Sequence, residues 1–312
     1  MDQIEQHVAN YIYEKCKSYR TIEAWLDTFY LWPKQAQSRL NLYAAFNTQQ
    51  WAQTRIEETD DNCYQKTKVI KKSVSEAFKK TNDFQKKLEL TEFFIEEWGG
   101  VGRKVKKELK KKNSHLYYNK LVKSRLDMQG KDDTVYFSQN DDGTVVKANR
   151  YKLVSSNSNE YGAVSSWSKF LAIAYPEWAH IYDARVAYSL NAIIYLDKLT
   201  HTKLWPMPHG VNSRIGLIDI ETLIVSSQAN ERKVRSICKE LEGTSKFVAK
   251  FREQLYLPKD QTYLMYLSLL EKVSHILNSN QYDLKATPSE IESFLFMVAD
   301  SHLFDDVLFA AT

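Results

Sequence analysis

The chain has 312 residues, of which 43% are hydrophobic, a length that allows one large domain or two small ones. Only nine glycines and six prolines occur, which disfavours a turn-rich β-architecture and favours helices. The formal net charge is +4, too small by itself to establish an anionic partner, so the distribution of charge has to decide.

The first hundred residues are predicted to form amphipathic helices. IEQHVANYIYEKCKSY repeats apolar residues at three- and four-residue steps, as helices do. TIEAWLDTFYLW follows with Thr21 as its expected N-cap, and Pro33 opens the next helical segment. ETDDNCYQKT is predicted to be a polar link, and KKLELTEFFIEEW to be a helix that ends at Gly99 and Gly100.

The segment 103–125 is the most basic part of the chain, with tyrosines among its lysines and arginines. Such a concentration polarises the charge of a protein that is only +4 overall, which suits nonspecific contact with a phosphate backbone. A solvated helix surface is the alternative. The residues assigned to DNA-backbone contact in this segment are Arg103, Lys104, Lys107 and Lys111.

The middle of the chain contains the one strong β-pattern. Two β-branched and aromatic runs flank Asp142-Gly143, which predicts a small β-hairpin near 134–147. After it we expect a short helix to Tyr175, a break at Pro176, and a second helix from Asp183 to about Leu199.

The last hundred residues are predicted to be helical after the turn-like loop LWPMPHGVNSRIG. SQANERKVRSICKELEG is expected to end at Gly243, and QTYLMYLSLLEKVSHILNSN follows as a strong helix. The final helix begins at Pro288 with Ser289 followed three residues later by Glu292, the spacing of a capping box.

Asp183 is the candidate catalytic acid. At a helix N-cap its carboxylate is held ionised by backbone N–H groups and by the helix dipole. A fixed carboxylate of this kind can face a developing positive charge or activate a water; a plain N-cap is the alternative. Lys169, in the first turn of the preceding helix, is an amine nucleophile, a phosphate anchor, or a solvated lysine.

The loop LWPMPHGVNSRIG is the second candidate. A pocket for a flipped base needs stacking surfaces and hydrogen bonds to the base edge, and an ordinary proline-rich connector is the alternative. The residues assigned to the pocket are Tyr182, which could equally be a core residue, Trp205, His209 and Asn212; Arg214 is assigned to the DNA backbone.

The segment from about 150 to 200 resembles the helix-hairpin-helix DNA glycosylases. The resemblance depends on Ser-Lys in a short helix, Pro176, and then IYDARV followed by Leu190. It implies a mainly α, two-lobed protein of helix-hairpin-helix glycosylase type, with catalytic Asp183 and Lys169. It further implies DNA-backbone contacts from Ser166, Ser168 and Arg185. The lobes would be 1–130, which includes the basic region, and 131–312, which holds the site.

The same segment is similar to bacterial glycosylase-like proteins of phage defence, some of which remove hypermodified cytosines. The resemblance implies a monofunctional enzyme that releases a flipped, modified base from double-stranded DNA and leaves an abasic site. This chemistry needs no metal or organic cofactor, and a monomer is expected. The alternative is a non-catalytic nucleic-acid-binding module of a defence system. It is favoured because the stretch EYGAVSSWSK, which corresponds to the glycine-containing, phosphate-binding hairpin of the family, has Gly162 as its single glycine. A helical scaffold with an aromatic interface is a third hypothesis.

Other chemistries lack their motifs. The sequence contains no P-loop, no GxGxxG after a strand, no HExxH and no GxSxG. Its three cysteines, Cys16, Cys63 and Cys238, have no metal spacing, which predicts free thiols in a reducing compartment. The polar N-terminus and the lack of a long apolar run predict a cytoplasmic protein without membrane contact.

Overall fold

A computed structural model describes residues 4–30, 63–99, 138–139, 145–146, 164–199, 202–208 and 214–311. These residues are mainly helical, so the prediction of a mainly α protein is confirmed. In chain order the helices are α1 (Ile4–Cys16), α2 (Ile22–Phe29), α3 (Cys63–Lys80), α4 (Phe84–Glu92), a π-helix (Phe93–Trp98), α5 (Val164–Ala174), α6 (Ala184–Leu196), a 3₁₀-helix (Ile215–Leu217), α7 (Ile220–Ser226), α8 (Gln228–Glu240), α9 (Phe247–Leu255), α10 (Lys259–Leu277), α11 (Pro288–Val298) and α12 (His302–Ala311).

The chain divides into two compact units, each assembled from separate stretches of sequence. We call them the terminal unit, which comprises Met1–Trp25, Val154–Gly162 and Tyr182–Thr312, and the middle unit, which comprises Leu26–Leu153 and Ala163–Ile181. This division differs from the predicted lobes 1–130 and 131–312. Lys169 falls in the middle unit and Asp183 in the terminal unit.

The terminal unit is built around α6. Most positions of this helix are buried, because ARVAYSLNAIIYL is apolar on nearly every side. Helices α1, α7, α11 and α12 pack against it, and α10 packs against both α1 and α11. Asp183 directly precedes the first residue of α6. The candidate catalytic acid therefore lies at the N-terminus of the central helix of this unit.

Helix α1 belongs to the terminal unit because its aromatic and basic side chains reach α11 and α12. The ring of Tyr11 lies 6.4 Å from that of Phe294, and the Tyr11 hydroxyl donates a 2.8 Å hydrogen bond to Asp306. Lys15 forms a 3.0 Å ion pair with the same carboxylate. These contacts span almost the whole sequence, which explains why a division by sequence position alone misplaced α1.

The middle unit packs α3 against α4 and α5, and α5 against the π-helix. The rings of Phe78 in α3 and Phe170 in α5 meet edge to face at 5.7 Å. Helix α3 begins at Cys63, so the second half of the predicted polar link ETDDNCYQKT is helical. Strands β1 (Ser138–Gln139) and β2 (Val145–Val146) pair antiparallel where the sequence predicts a hairpin.

Helix α11 begins at Pro288 as predicted, but a different pair of residues forms its capping box. The Thr287 hydroxyl accepts a hydrogen bond from the backbone of Glu290, and the Glu290 carboxylate accepts one from the backbone of Thr287 at 2.7 Å. The prediction of Ser289 and Glu292 for these positions was wrong. Proline favours the first helical position, which makes the preceding threonine the cap.

Candidate active site at the start of the central helix

Asp183 is the N-cap of α6, as the sequence predicts. Its backbone is extended, and its Oδ1 accepts hydrogen bonds from the N–H groups of Arg185 at 3.0 Å and Val186 at 3.2 Å. The residue is half-buried. Within the described ranges, no hydrogen bond reaches Oδ2. The cap therefore fixes one carboxylate oxygen and leaves the other able to accept a proton or face a positive charge.

Two buried side chains hold the segment 204–206 beside α6 through hydrogen bonds to its backbone. Asn191 of α6 donates to the backbone carbonyl of Trp205 at 2.9 Å and accepts from its N–H at 2.8 Å. The Tyr182 hydroxyl donates to the carbonyl of Pro206 at 2.8 Å. The Asn191 side chain therefore pairs with both the backbone N–H and the backbone carbonyl of Trp205, which gives this segment a defined position beside α6.

Tyr182 and Trp205 are core residues. The Tyr182 side chain has no exposed surface and Trp205 is 3% exposed, with their ring centroids 6.4 Å apart. A side chain that stacks on a flipped base needs an accessible face, so we reassign both residues from base contact to support of the site. The Trp205 indole N–H is buried and has no hydrogen-bond partner within the described part of the chain.

Arg185 is committed to contacts inside the terminal unit. Its guanidinium forms a 2.9 Å ion pair with Asp300 and lies 4.5 Å from the centre of the Phe296 ring. A contact with DNA phosphate would have to compete with this pair. We therefore reassign Arg185 to the packing of α6 against the end of α11.

Arg214, which is predicted to contact the DNA backbone, is partly exposed. It pairs with Asp305 at 2.8 Å and lies over the ring of Phe304, yet its side chain is 48% exposed. An exposed pair of this kind contributes little to stability, so a phosphate could compete for the guanidinium. His209 and Asn212, assigned to the pocket in the same loop, lie outside the described residues.

Tyr266 is a buried neighbour of Tyr182 that the sequence did not reveal. The Tyr266 ring of α10 lies 5.2 Å from that of Tyr182, next to Asp183. The pKa of Tyr266 is raised well above its usual range, first by burial and then by the charge of Glu292, by Tyr263 and by the charge of Asp183.

The sequence did contain a sign of Glu292. SEIESFLFMV is an apolar helix apart from its serines and glutamates. Glu290 completes the capping box, so Glu292 is the carboxylate that the helix end does not use. An acid in such a position is rarely buried without a functional or structural partner.

Lys169 is a buried lysine of the middle unit. It is 4% exposed, and its Nζ donates a 2.8 Å hydrogen bond to the carbonyl of Ser165 one turn earlier. Its stem passes over Gly99, where an added Cβ would lie 2.7 Å from Lys169 Cε. This burial removes the alternative of a solvated lysine. Ser166 is half-buried, whereas Ser168 has no exposed surface, so we do not include Ser168 in a DNA-binding surface.

Three further observations concern the chain as a whole. Residues 103–125 lie outside the described ranges, including the predicted DNA contacts Arg103, Lys104, Lys107 and Lys111. Among the residues that are described, no group of three or more His, Cys, Asp or Glu side chains could hold a metal ion, and no helix has the length and hydropathy to cross a membrane. Comparisons with protein-family models, with curated proteins and with solved structures find no match to this chain.

Proposed function

We propose that this protein is a DNA glycosylase that hydrolyses the N-glycosidic bond of a flipped base, with Asp183 as its catalytic carboxylate. The supporting observation is the geometry of Asp183: one oxygen is fixed by two backbone N–H groups at the start of a buried helix. The order of a short helix, a break and a helix capped by an acid also agrees with the segment that resembles the helix-hairpin-helix glycosylases.

In the proposed reaction, the bond between C1′ of the deoxyribose and the base nitrogen breaks, and the base leaves with the bonding electron pair. Positive charge develops on the sugar, as in glycoside hydrolysis generally. The Asp183 carboxylate stabilises that charge, and Oδ2 accepts a proton from the water that attacks C1′. The departing base takes up a proton from solvent, so the products are an abasic site and a free base.

The substrate in this proposal is a modified base in double-stranded DNA, with glucosylated cytosine as the first candidate. This choice comes from the resemblance to phage-defence glycosylases. The side chain of Arg214, which is 48% exposed, is our candidate for contact with a backbone phosphate. The proposed reaction uses Asp183 alone, and the Nζ of Lys169 donates a hydrogen bond to the carbonyl of Ser165. We therefore expect a monofunctional enzyme, and borohydride should trap no covalent adduct between the protein and DNA.

The decisive experiment compares base release by the wild type and by Asp183→Asn. The full-length proteins are incubated with phage DNA that contains glucosylated cytosine and with the same DNA unmodified, and abasic sites are counted. Asparagine caps helices as well as aspartate does. We therefore expect Asp183→Asn to remain folded and to bind DNA, but to lose base release by at least about 100-fold.

The matched control is Asp219→Asn. Asp219 is the N-cap of α7 and accepts a hydrogen bond from the backbone of Thr222, so the substitution makes the same chemical change at another helix start. It should leave base release within about twofold of the wild type, since a surface change of this kind has little effect elsewhere. Undiminished base release by Asp183→Asn would refute the proposed role.

The burial of Tyr182 and Trp205 favours a second candidate function, a non-catalytic nucleic-acid-binding module of a defence system. Neither ring offers an accessible face for a flipped base, and a module that only binds DNA needs none. This candidate predicts that the wild-type protein binds DNA but creates no abasic sites in either DNA. The same incubation therefore separates the two functions.

A further inference from the structure

Helix α3 of the middle unit carries a concentration of positive charge that the proposed reaction does not use. Its sequence, CYQKTKVIKKSVSEAFKK, contains six lysines and a single acid, Glu76. The helix is also amphipathic, since Ile70, Val74 and Phe78 recur at four-residue steps and are buried. Lysines that do not belong to this buried stripe are therefore directed toward solvent.

The exposed lysines of α3 fall on one side of the helix. Lys68, Lys72, Lys79 and Lys80 are exposed, and we call these four residues the lysine face. At about 100° per residue, the first three lie within roughly 40° of one another around the helix axis. At 1.5 Å per residue they extend over about 16 Å along it. Lys80 lies beside them in the last turn.

The described contacts of the lysine face leave its charge able to meet an incoming anion. Lys79 pairs with Glu177 at 3.2 Å, and the two side chains are 50% and 57% exposed. A pair this exposed contributes little to stability, so a phosphate can take the place of Glu177. Lys68 lies 5.6 Å from the centre of the Tyr64 ring, a contact that orients an ammonium group without neutralising it.

The acids described near α3 are fewer than its lysines. Glu76 lies on the helix itself, one turn after Lys72, and Asp27 of α2 accepts a 2.9 Å hydrogen bond from Gln65. With Glu177 they make three acids against six lysines. Helices α4 and α5 pack against α3 and add three lysines, two glutamates and the cap Asp83, and so no net charge. The described surroundings of α3 are therefore positively charged.

We propose that the lysine face of α3 binds the phosphate backbone of duplex DNA. This inference rests on the proposed function for its partner, DNA, and adds a binding surface on the middle unit. Lysines that neutralise DNA phosphates release condensed counterions, which gives affinity without recognition of sequence. Successive phosphates of one strand are about 3.4 Å apart along the duplex axis, so a row about 16 Å long reaches several of them.

The test measures DNA affinity as a function of salt and does not require activity. Full-length protein is titrated into a fluorescein-labelled duplex of unmodified DNA, and binding is followed by fluorescence anisotropy. The variant carries Lys72→Gln and Lys79→Gln, since glutamine favours helices about as well as lysine. Each lost phosphate contact should make the slope of log Kd against log salt shallower by about 0.9, and the two together should weaken binding roughly 10- to 30-fold at about 0.15 M salt.

The matched control removes the same charge from the terminal unit. It carries Lys17→Gln and Lys239→Gln, both at exposed positions. Lys17 is 53% exposed and pairs with Glu14 at 2.6 Å, which resembles the environment of Lys79. We expect this control to change the slope by less than about 0.3, since a distant charge is screened by salt. An equal change in both double variants would show that net charge alone governs binding, and it would overturn the inference.

A third variant should act in the opposite direction. Glu76→Gln removes the acid of α3 that opposes the phosphates, so it should tighten DNA binding by about two- to fivefold. Weaker binding by this variant would contradict the proposed surface. A wild-type slope in the variant that lacks Lys72 and Lys79 overturns the inference, and an acidic protein surface would then be the better partner for α3.

Base release separates this inference from the proposed function. The same proteins are incubated with phage DNA that contains glucosylated cytosine, and abasic sites are counted. If the wild type releases base while the lysine variant keeps the wild-type salt dependence, only the inference fails. If the lysine variant binds DNA more weakly but the wild type releases no base, the glycosylase proposal fails and the DNA-binding surface stands. A wild-type protein that does not bind the duplex overturns the inference.

Discussion

The N-cap geometry of Asp183 predicts how three substitutions should divide between stability and catalysis. In Asp183→Asn the side-chain oxygen can still accept from the N–H groups of Arg185 and Val186, so only the interaction of the charge with the helix dipole is lost, about 0.3–1 kcal/mol. Asp183→Ala loses both hydrogen bonds as well, and a lost cap costs about 0.5–2 kcal/mol. Asp183→Ser should resemble Asp183→Asn, because serine is an equally good cap.

Urea unfolding of the full-length variants measures these differences as shifts of the midpoint at a constant slope. We expect alanine to be less stable than asparagine or serine by about 1 kcal/mol. Base release should be lost in all three variants, because none of them retains a carboxylate. If stability and base release instead fell together across the series, Asp183 would act as a cap alone. An alanine variant as stable as the wild type would contradict the cap geometry itself.

Two matched pairs test the packing around both candidate residues. Tyr188→Phe should leave the free energy of unfolding unchanged or raise it by up to about 1 kcal/mol, because the buried Tyr188 hydroxyl has no hydrogen-bond partner within the described ranges. Tyr182→Phe should lower it by about 1–3 kcal/mol, because it removes the hydrogen bond to the buried carbonyl of Pro206, and equal effects in urea unfolding would contradict this account. Gly99→Ala should cost about 1–3 kcal/mol through overlap with the Ile95 carbonyl and the Lys169 stem, as judged from its thermal midpoint. Gly216→Ala meets nothing within 4 Å and should change stability by less than about 0.5 kcal/mol; an equal loss in both would show that the close contacts at Gly99 are unimportant.

The position of Asp183 could be predicted because a helix cap is a local interaction. Its two partners are the second and third residues after it, and the apolar run that follows marks the helix. Local chemistry does not always single out one residue, however. TPSEIE contains two pairs of a hydroxyl residue followed three positions later by a glutamate, and the structure uses Thr287 with Glu290. The cap of α11 was therefore misplaced by two residues although its first residue was right.

The contacts of the basic and hydroxyl side chains could not be predicted, because they depend on which helices pack together. Arg185 was expected at a DNA surface, yet its partner Asp300 lies more than a hundred residues later, after α11. Ser168 was expected at the surface, but it has no exposed surface, and its helix α5 packs against α3 and the π-helix.

Many of the aromatic residues that the structure describes lie in the core. The largest fully buried side chains of the described chain include Trp25, Tyr182, Tyr263 and Tyr266, whereas Phe309 is 77% exposed. The ring centroids of Tyr182 and Tyr266 lie 5.2 Å apart, and the backbone of Tyr182 continues into Asp183. The aromatic core of the terminal unit therefore extends to the residue that precedes the N-cap of α6.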